Sequence, residues 1–215
     1  MYEFREDLIN PIFYPIKCPY EMKPEFIVVH NTANDASAAN EAAYMKNNGK
    51  KVSFHYAIDD KEVIYAVPEN RNTWNAGDGE NGRGNRFGIS VEICYSKSGG
   101  KRFLLAQDNA AAFIAKKMHE YNFCISDIKR HKDFSGKNCP HRTMELGWDK
   151  FLEKIKEYYN KTSELENAND IVYELSTHIK IDDPMKAVSE LSIYEEKNTS
   201  VYWILRKLAN KLRVK

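Results

Sequence analysis

The feature that most constrains the fold is an uninterrupted apolar run at residues 26–30, F-I-V-V-H, which is rich in β-branched residues. Such a run is typical of a central strand that is buried on both faces. Strand-like and helix-like patterns alternate after it, with helices predicted at residues 35–48, 105–121 and 148–159 and strands at 53–58, 62–67, 89–95 and 128–131. This alternation predicts an α/β fold, in which helices flank a central mixed β-sheet.

A polar segment that begins near Lys161 predicts a domain boundary. Residues 1–160 are expected to form the first domain. Their first 24 residues should be an extended arm, because the spacing of the prolines forbids a helix through the segment. Residues 161–215 are expected to form a linker and a small all-helical module. A core of that size is marginal by itself, so the module should dock or form a homodimer.

Composition narrows the functional classes. The formal net charge is +1, which gives no reason to expect nucleic acid or an anionic membrane as a partner. No apolar run is long enough to span a bilayer. The N-terminus carries acidic residues where a signal peptide would carry basic ones, so synthesis in a cytoplasm without a signal peptide is expected. The four cysteines show no C-x-x-C pairing, and free thiols are therefore predicted.

The segment H-K-D-F-S-G-K-N-C-P at residues 131–140 holds the most informative side chains for chemistry. His131 and Cys139 lie within it, and His30 ends the apolar run about a hundred residues upstream. Two imidazoles and a thiolate are a ligand set that zinc accepts, and three protein ligands leave a fourth position open, as in catalytic sites. Buried structural histidines and a small apolar cysteine remain the alternative on this pattern alone.

Five motifs in a fixed order carry a family resemblance. They are F-I-V-V-H-N-T, S-F-H-Y-A-I-D, T-W-N-A-G-D-G, G-N-R-F-G-I-S-V-E-I-C and H-K-D-F-S-G-K-N-C-P. Residues 24–159 resemble the type-2 N-acetylmuramoyl-L-alanine amidases, the zinc amidases of phage endolysins and bacterial autolysins. The resemblance implies that His30, His131 and Cys139 hold Zn²⁺. It also implies that Glu92 is the general base and that Lys137 stabilises the oxyanion.

Two positions depart from the wider family pattern, and both bear on the substrate site. Phe54 stands where some relatives carry a tyrosine. The resemblance then implies that no phenol is available near the metal at this position, so catalysis should depend more on Glu92. Asn75 replaces a histidine of W-H-A-G and is expected to hydrogen-bond substrate. Trp74 and Asn85 should wall a groove for glycan and stem peptide, although Trp74 is equally typical of a core residue. His55 is predicted to line the site rather than to bind metal.

The expected function is that of an endolysin. Such an enzyme cuts the amide between N-acetylmuramic acid and L-alanine in peptidoglycan. A bacterial autolysin, a non-catalytic peptidoglycan-binding protein, and a thiol hydrolase using Cys139 and His131 are the alternatives. The C-terminal module is expected to bind a secondary cell-wall polymer. Tyr202 and Trp203 are its candidates for sugar stacking, and core packing is the alternative role for both.

Overall fold

The computed structural model describes the backbone of residues 2–178 and the side chains of residues 2–162. Contacts between Cα atoms divide the chain into two compact units, Met1–Tyr159 and Asn160–Lys215. The second unit is described only as the end of a helix that reaches His178. The remainder of the predicted C-terminal module, with Tyr202 and Trp203, lies outside the described residues.

The first unit is built on one mixed sheet of six strands. The strands are β1 (Glu3–Glu6), β2 (Phe26–Asn31), β3 (Tyr56–Ile58), β4 (Glu62–Tyr65), β5 (Gly88–Ile93) and β6 (Ile128–Arg130). Their order across the sheet is β1-β4-β3-β5-β2-β6. The β3–β4 hairpin is antiparallel and every other neighbouring pair is parallel. Every residue of β2 is buried, which confirms the central strand predicted from the apolar run.

Six helices accompany the sheet in the part of the chain that is described. They are α1 (Tyr14–Lys17), α2 (Ala38–Asn47), α3 (Arg83–Phe87), α4 (Gly100–Tyr121), α5 (Lys132–Ser135) and α6 (His141–His178). Helix α2 packs against β3 and β4, and α4 packs against β3 and β5. The predicted α/β class, with helices flanking a mixed sheet, is therefore confirmed. None of the described helices is long and apolar enough to cross a membrane.

The N-terminal arm departs from the prediction of an extended segment. Its first residues form β1, which pairs in parallel with β4 and extends the sheet by one edge strand. Residues 11–17 then form a 3₁₀ turn followed by α1, with a proline in the first turn of each. Proline is compatible with a first helical turn because that N–H has no intrahelical partner. The proline spacing therefore limited helix length here without preventing helices.

Helix α6 also differs from its prediction. It begins at His141, before the predicted start at residue 148, and it continues past residue 160 to His178. Gly147 interrupts it with φ 110° and ψ 107°, a conformation that favours glycine. The polar composition after Lys161 does not end the helix, since polar residues on a solvated helix carry no breaking signal.

The parallel strands decide where a functional site can form. Strands β2, β5 and β6 are neighbours and run in the same direction, so their carboxyl ends meet at one edge. Ligand sites of open α/β sheets lie beyond the carboxyl ends of such strands. His30 and Glu92 lie opposite each other near these ends, and His131 follows β6 directly.

Candidate metal centre and active site

Three buried side chains converge at this edge of the sheet. His30, His131 and Cys139 each offer one ligand atom, and these atoms all lie within 4.8 Å of one another. The Nδ1 atoms of the two histidines are 3.0 Å apart. Pairing of β2 with β6 brings the histidines together. The loop after α5 carries Cys139 back to them, held by a hydrogen bond from the Lys132 N–H to the Cys139 carbonyl (2.9 Å).

The protonation of the two imidazoles fits a cation between them. Burial lowers the pKa of His30 well below its ordinary value and that of His131 to about 4, so both rings are neutral at pH 7. His131 also hydrogen-bonds the Ala76 backbone, and its Nδ1 faces His30. His30 Nε2 is buried without a hydrogen-bond partner among the described residues. Two neutral nitrogens and a sulfur suit a borderline-soft divalent ion.

Cys139 is a poor nucleophile in the absence of a cation. Its burial, reinforced by the nearby Glu92 carboxylate, raises the pKa of the thiol to about 12. The Asn31 N–H lies 3.4 Å from Sγ and is a weak donor to it. A thiol that coordinates a metal ion is deprotonated outright, so metal binding reverses this preference. The environment therefore suits a metal ligand better than an attacking thiolate.

Two adjoining cavities open onto these ligands. One, of about 590 Å³, is lined by all three of them, and the other has a volume of about 570 Å³. The cavities share five lining residues, namely Asn31, Val52, Glu92, Lys137 and Cys139. The two therefore form one groove with two arms, which meet beside the predicted general base and oxyanion-stabilising lysine.

Glu92 projects from β5 toward this groove. Its neighbours Val91 and Ile93 are fully buried on the opposite face of the strand, as the alternation predicted. Oε2 is enclosed without a hydrogen-bond partner among the described residues. Burial, reinforced by the Glu41 carboxylate and opposed by Lys137 and Asn75, raises the pKa of Glu92 to about 8. A carboxyl group poised near neutral pH is suited to accept and return a proton.

Lys137 lies on the exposed loop between α5 and Cys139 and lines both arms of the groove. Gly136, with φ 74°, allows the chain to turn just before it. No carboxylate among the described side chains lies within ion-pair distance of its ammonium group. Its charge lowers the pKa of His30, of His131 and of Glu92, which places it electrostatically within the same site.

Trp74 and Asn85 line the larger cavity, but their polar atoms are already committed to the protein. The indole N–H of Trp74 donates to the Ile16 carbonyl (3.1 Å), and the Lys51 ammonium lies 4.2 Å from the ring centroid. Only 6% of Trp74 is exposed. This environment favours the core role for Trp74 that its sequence context left open.

Asn85 holds the loop at residues 75–79 in place through hydrogen bonds from its side chain. Its Oδ1 accepts from the backbone N–H groups of Asn75 (3.0 Å) and Ala76 (2.8 Å), and its Nδ2 donates to the Gly79 carbonyl (3.0 Å). Asp78, which was expected to wall the groove together with Asn85, in turn accepts from the Gly84 and Asn85 N–H groups. A substrate contact by Asn85 therefore competes with three internal hydrogen bonds.

His55 does not line the groove. It is fully buried, its Nδ1 accepts from the Ser90 N–H (2.9 Å), and its Nε2 donates to the Arg71 carbonyl (2.8 Å). Burial lowers its pKa to about 4, so the ring is neutral with both nitrogens satisfied. This placement corrects the expectation that His55 lines the substrate site. The sequence reasoning did not predict a role for Ser90, which bonds His55. Its position two residues before Glu92, on the same face of the strand, was the available signal.

Comparison with known proteins agrees with this geometry. A family model described as N-acetylmuramoyl-L-alanine amidase matches residues 20–142. The amidase CwlA of Bacillus subtilis strain 168 is 53% identical over 142 residues, which is 66% of this chain and 52% of CwlA. The chain thus spans about half the length of this curated relative.

Solved structures show the same likeness. The structure of PlyL is 51% identical, with a TM-score of 0.69 over 71% of this chain and 96% of PlyL. A mutant endolysin from Bacillus subtilis is 40% identical, with a TM-score of 0.66 over 72% of this chain and 99% of that one. The resemblance drawn from five ordered motifs is confirmed, and the chain belongs to the N-acetylmuramoyl-L-alanine amidase family.

Proposed function

We propose that this protein is a zinc-dependent N-acetylmuramoyl-L-alanine amidase, which hydrolyses the amide between N-acetylmuramic acid and the L-alanine of the stem peptide. One observation carries the proposal: the buried His30, His131 and Cys139 cluster opens onto a groove that also presents Glu92 and Lys137. Hydrolysis of an unactivated amide requires activation of water, transfer of a proton and stabilisation of the oxyanion. A metal ion held by the three ligands, Glu92 and Lys137 would supply these three functions.

His30 and His131 would hold the ion through Nδ1 and Cys139 through its thiolate. Their neutral imidazoles and single thiolate leave a bound divalent ion with net positive charge. Bound Zn²⁺ would supply a water of lowered pKa and polarisation of the scissile carbonyl. Three protein ligands leave the fourth position for these roles, as in other catalytic zinc sites.

Glu92 is the proposed general base. Its partly enclosed carboxylate accepts a proton from the attacking water and afterwards donates it to the departing amine of L-alanine. The raised pKa favours both steps near neutral pH. The carboxylate is then basic enough to accept the proton, and the carboxyl group is acidic enough to donate it. This role is typically worth about 10²–10⁴ in rate.

Lys137 is the proposed stabiliser of the negative charge that develops on the carbonyl oxygen. Its ammonium is exposed on a loop, lines both arms and has no carboxylate partner among the side chains that the structure describes. A positioned donor of this kind typically contributes about 10²–10³ in turnover. Stabilisation of the oxyanion by the loop cation completes the set of groups that the reaction needs.

The groove fits a substrate with two unlike halves. The scissile amide joins a sugar to a peptide, and the two arms diverge from the residues proposed to act on that bond. Peptidoglycan is therefore the proposed partner and the bacterial cell wall the proposed site of action. We also propose an endolysin role, with recognition of a secondary wall polymer by residues 161–215, of which 179–215 lie outside the described residues.

The deciding experiment combines metal analysis with product analysis. Purified protein should contain about one zinc per chain, and mass spectrometry of digested peptidoglycan should show stem peptides with a free L-alanine amine. Cys139→Ser should lose both the metal and the products. Cys124→Ser is the matched control, because Cys124 is an exposed cysteine outside the site. Full activity in a verified metal-free sample would overturn the proposal.

A chelator separates this mechanism from a thiol hydrolase. Phenanthroline should abolish activity, and added Zn²⁺ should restore it. Iodoacetamide should modify the exposed Cys124 in the holoprotein without loss of activity. Activity that survives chelation but is lost on alkylation would favour the thiol mechanism, which the raised pKa of Cys139 argues against.

A further inference from the structure

Asn75 and Glu92 share a feature that needs a physical explanation. Each has one buried side-chain oxygen, Oδ1 and Oε2 respectively, without a hydrogen-bond partner among the described residues. Both residues line the larger arm of the groove. A buried acceptor without a donor loses its hydrogen bonds to water and gains none in return, so native structures rarely leave two of them in one place.

Ser90 connects the two residues. It lies two positions before Glu92 on β5, so both side chains project from the same face of the sheet. The Asn75 carboxamide donates from Nδ2 to the Ser90 hydroxyl, which places the amide along that face. The amide is also near enough to the Glu92 carboxylate to lower its pKa by hydrogen bonding.

The two orientations of the Asn75 carboxamide differ in how many groups they satisfy. When Nδ2 faces Ser90, the carbonyl oxygen has no donor and Glu92 Oε2 also has none. Rotation of the amide by 180° exchanges these two atoms, so that Oδ1 would accept the Ser90 hydroxyl proton and Nδ2 would become a donor for the neighbouring Glu92 carboxyl. A side-chain N–H of Asn75 that serves Glu92 would therefore account for both unpartnered oxygens.

We propose that Asn75 is a positioning residue, which donates its side-chain N–H to Glu92 and holds that carboxylate toward the metal-ligand cluster. Ser90 supports the amide from the other side. This inference rests on the proposed function, in which Glu92 is the general base. The sequence context of Asn75 had suggested a contact with substrate. In this proposal Asn75 acts instead on Glu92, which carries the proton.

The support for this arrangement extends into the core. The Ser90 N–H donates to His55 Nδ1, and His55 Nε2 donates to the Arg71 carbonyl. On the loop side, the Asn75 N–H donates to Asn85 Oδ1 (3.0 Å). Both ends of the Asn75–Ser90 contact are therefore fixed by buried groups. A carboxylate oriented from a rigid support requires little reorganisation during proton transfer.

A double-mutant cycle tests the proposal in the zinc-loaded full chain. Asn75→Ala should lower kcat about tenfold or more with KM within about twofold, since a hydrogen bond to a charged group is lost. The same substitution in a Glu92→Ala background should change kcat less than about twofold, because Asn75 acts through Glu92. Equal losses in both backgrounds, or a raised KM with unchanged kcat, would overturn it.

Conservative variants and a second readout complete the test. Asn75→Gln, which keeps the donor, should recover part of the activity that Asn75→Leu loses, with zinc content unchanged in both. Asn81→Ala is the matched control, since Asn81 is an exposed asparagine of the same loop. Equal activity of the Gln and Leu variants would overturn the proposal.

The NMR readout does not depend on activity. The side-chain amide signal of Asn75 should lie downfield in the wild type and move upfield in Glu92→Ala, while that of Asn81 stays in place. An Asn75 signal that ignores Glu92→Ala would refute the hydrogen bond. If the wild type shows this coupling but releases no free L-alanine amine from peptidoglycan, the proposed function fails and the hydrogen bond stands.

Discussion

Replacement of Glu92 by glutamine should stabilise the metal-free protein, and the gain should grow with pH. The ordinary pKa of 4.5 applies to the unfolded chain, and burial raises the pKa of the folded carboxyl to about 8. Between these values the folded protein keeps a proton that the unfolded chain has released. Stability of the wild type therefore falls as pH rises through this window, because the unfolded state binds fewer protons.

The size of the effect follows from the two pKa values. At about 1.36 kcal/mol per pKa unit, a rise from 4.5 to about 8 corresponds to roughly 5 kcal/mol as an upper bound. Water in the groove reaches part of the side chain and reduces the penalty, so a gain of about 2–4 kcal/mol at pH 8.5 is expected. Glutamine mimics the protonated carboxyl and cannot ionise, so its variant lacks this loss.

Urea denaturation of chelator-treated protein between pH 5 and pH 8.5 measures the prediction. The difference between Glu92→Gln and wild type should be small at pH 5 and should increase steadily above it. Glu153→Gln, at an exposed position of α6, is the matched control and should show no pH-dependent difference. A difference that stays constant across this range would refute the assignment of a buried, neutral Glu92 in the folded state.

Three further predictions address stability and chemistry. Lys117→Met should lower the free energy of unfolding by about 3 kcal/mol in urea denaturation, because the largely enclosed Glu69 carboxylate loses its ion-pair partner at 2.9 Å. Trp74→Phe should lower the free energy of unfolding by about 1 kcal/mol, because the hydrogen bond from the indole N–H to the Ile16 carbonyl is lost, and KM should not change. A large rise in KM would instead support sugar stacking by Trp74. Lys137→Ala should retain zinc and lower kcat about 10²–10³-fold in a peptidoglycan-release assay.

The central sheet could be predicted because its signals are local. The apolar run at residues 26–30 and the alternation around Glu92 each specify a strand and the face of each side chain. Convergence of His30 with His131 and Cys139 followed from the motif resemblance, since no local pattern encodes a pairing across a hundred residues. The composition predicted a boundary near position 160, where the chain does divide into two compact units, although α6 continues through this position because helices tolerate polar sequence.

The roles of His55 and Asn75 could not be predicted, because hydrogen-bond partners in space decide them. A polar residue beside a family motif suggests substrate contact, yet His55 is buried and bonded to two backbone groups. His55 Nδ1 accepts from the Ser90 N–H, and the Ser90 hydroxyl contacts Asn75, so these links depend on positions in space and not on sequence spacing. The same holds for the buried oxygens of Asn75 and Glu92 that lack a partner among the described residues. Only the three-dimensional surroundings of such an atom show whether it has a hydrogen-bond partner. The cost of enclosing the Glu92 carboxyl is thus a property of the site that stability measurements can detect independently of activity.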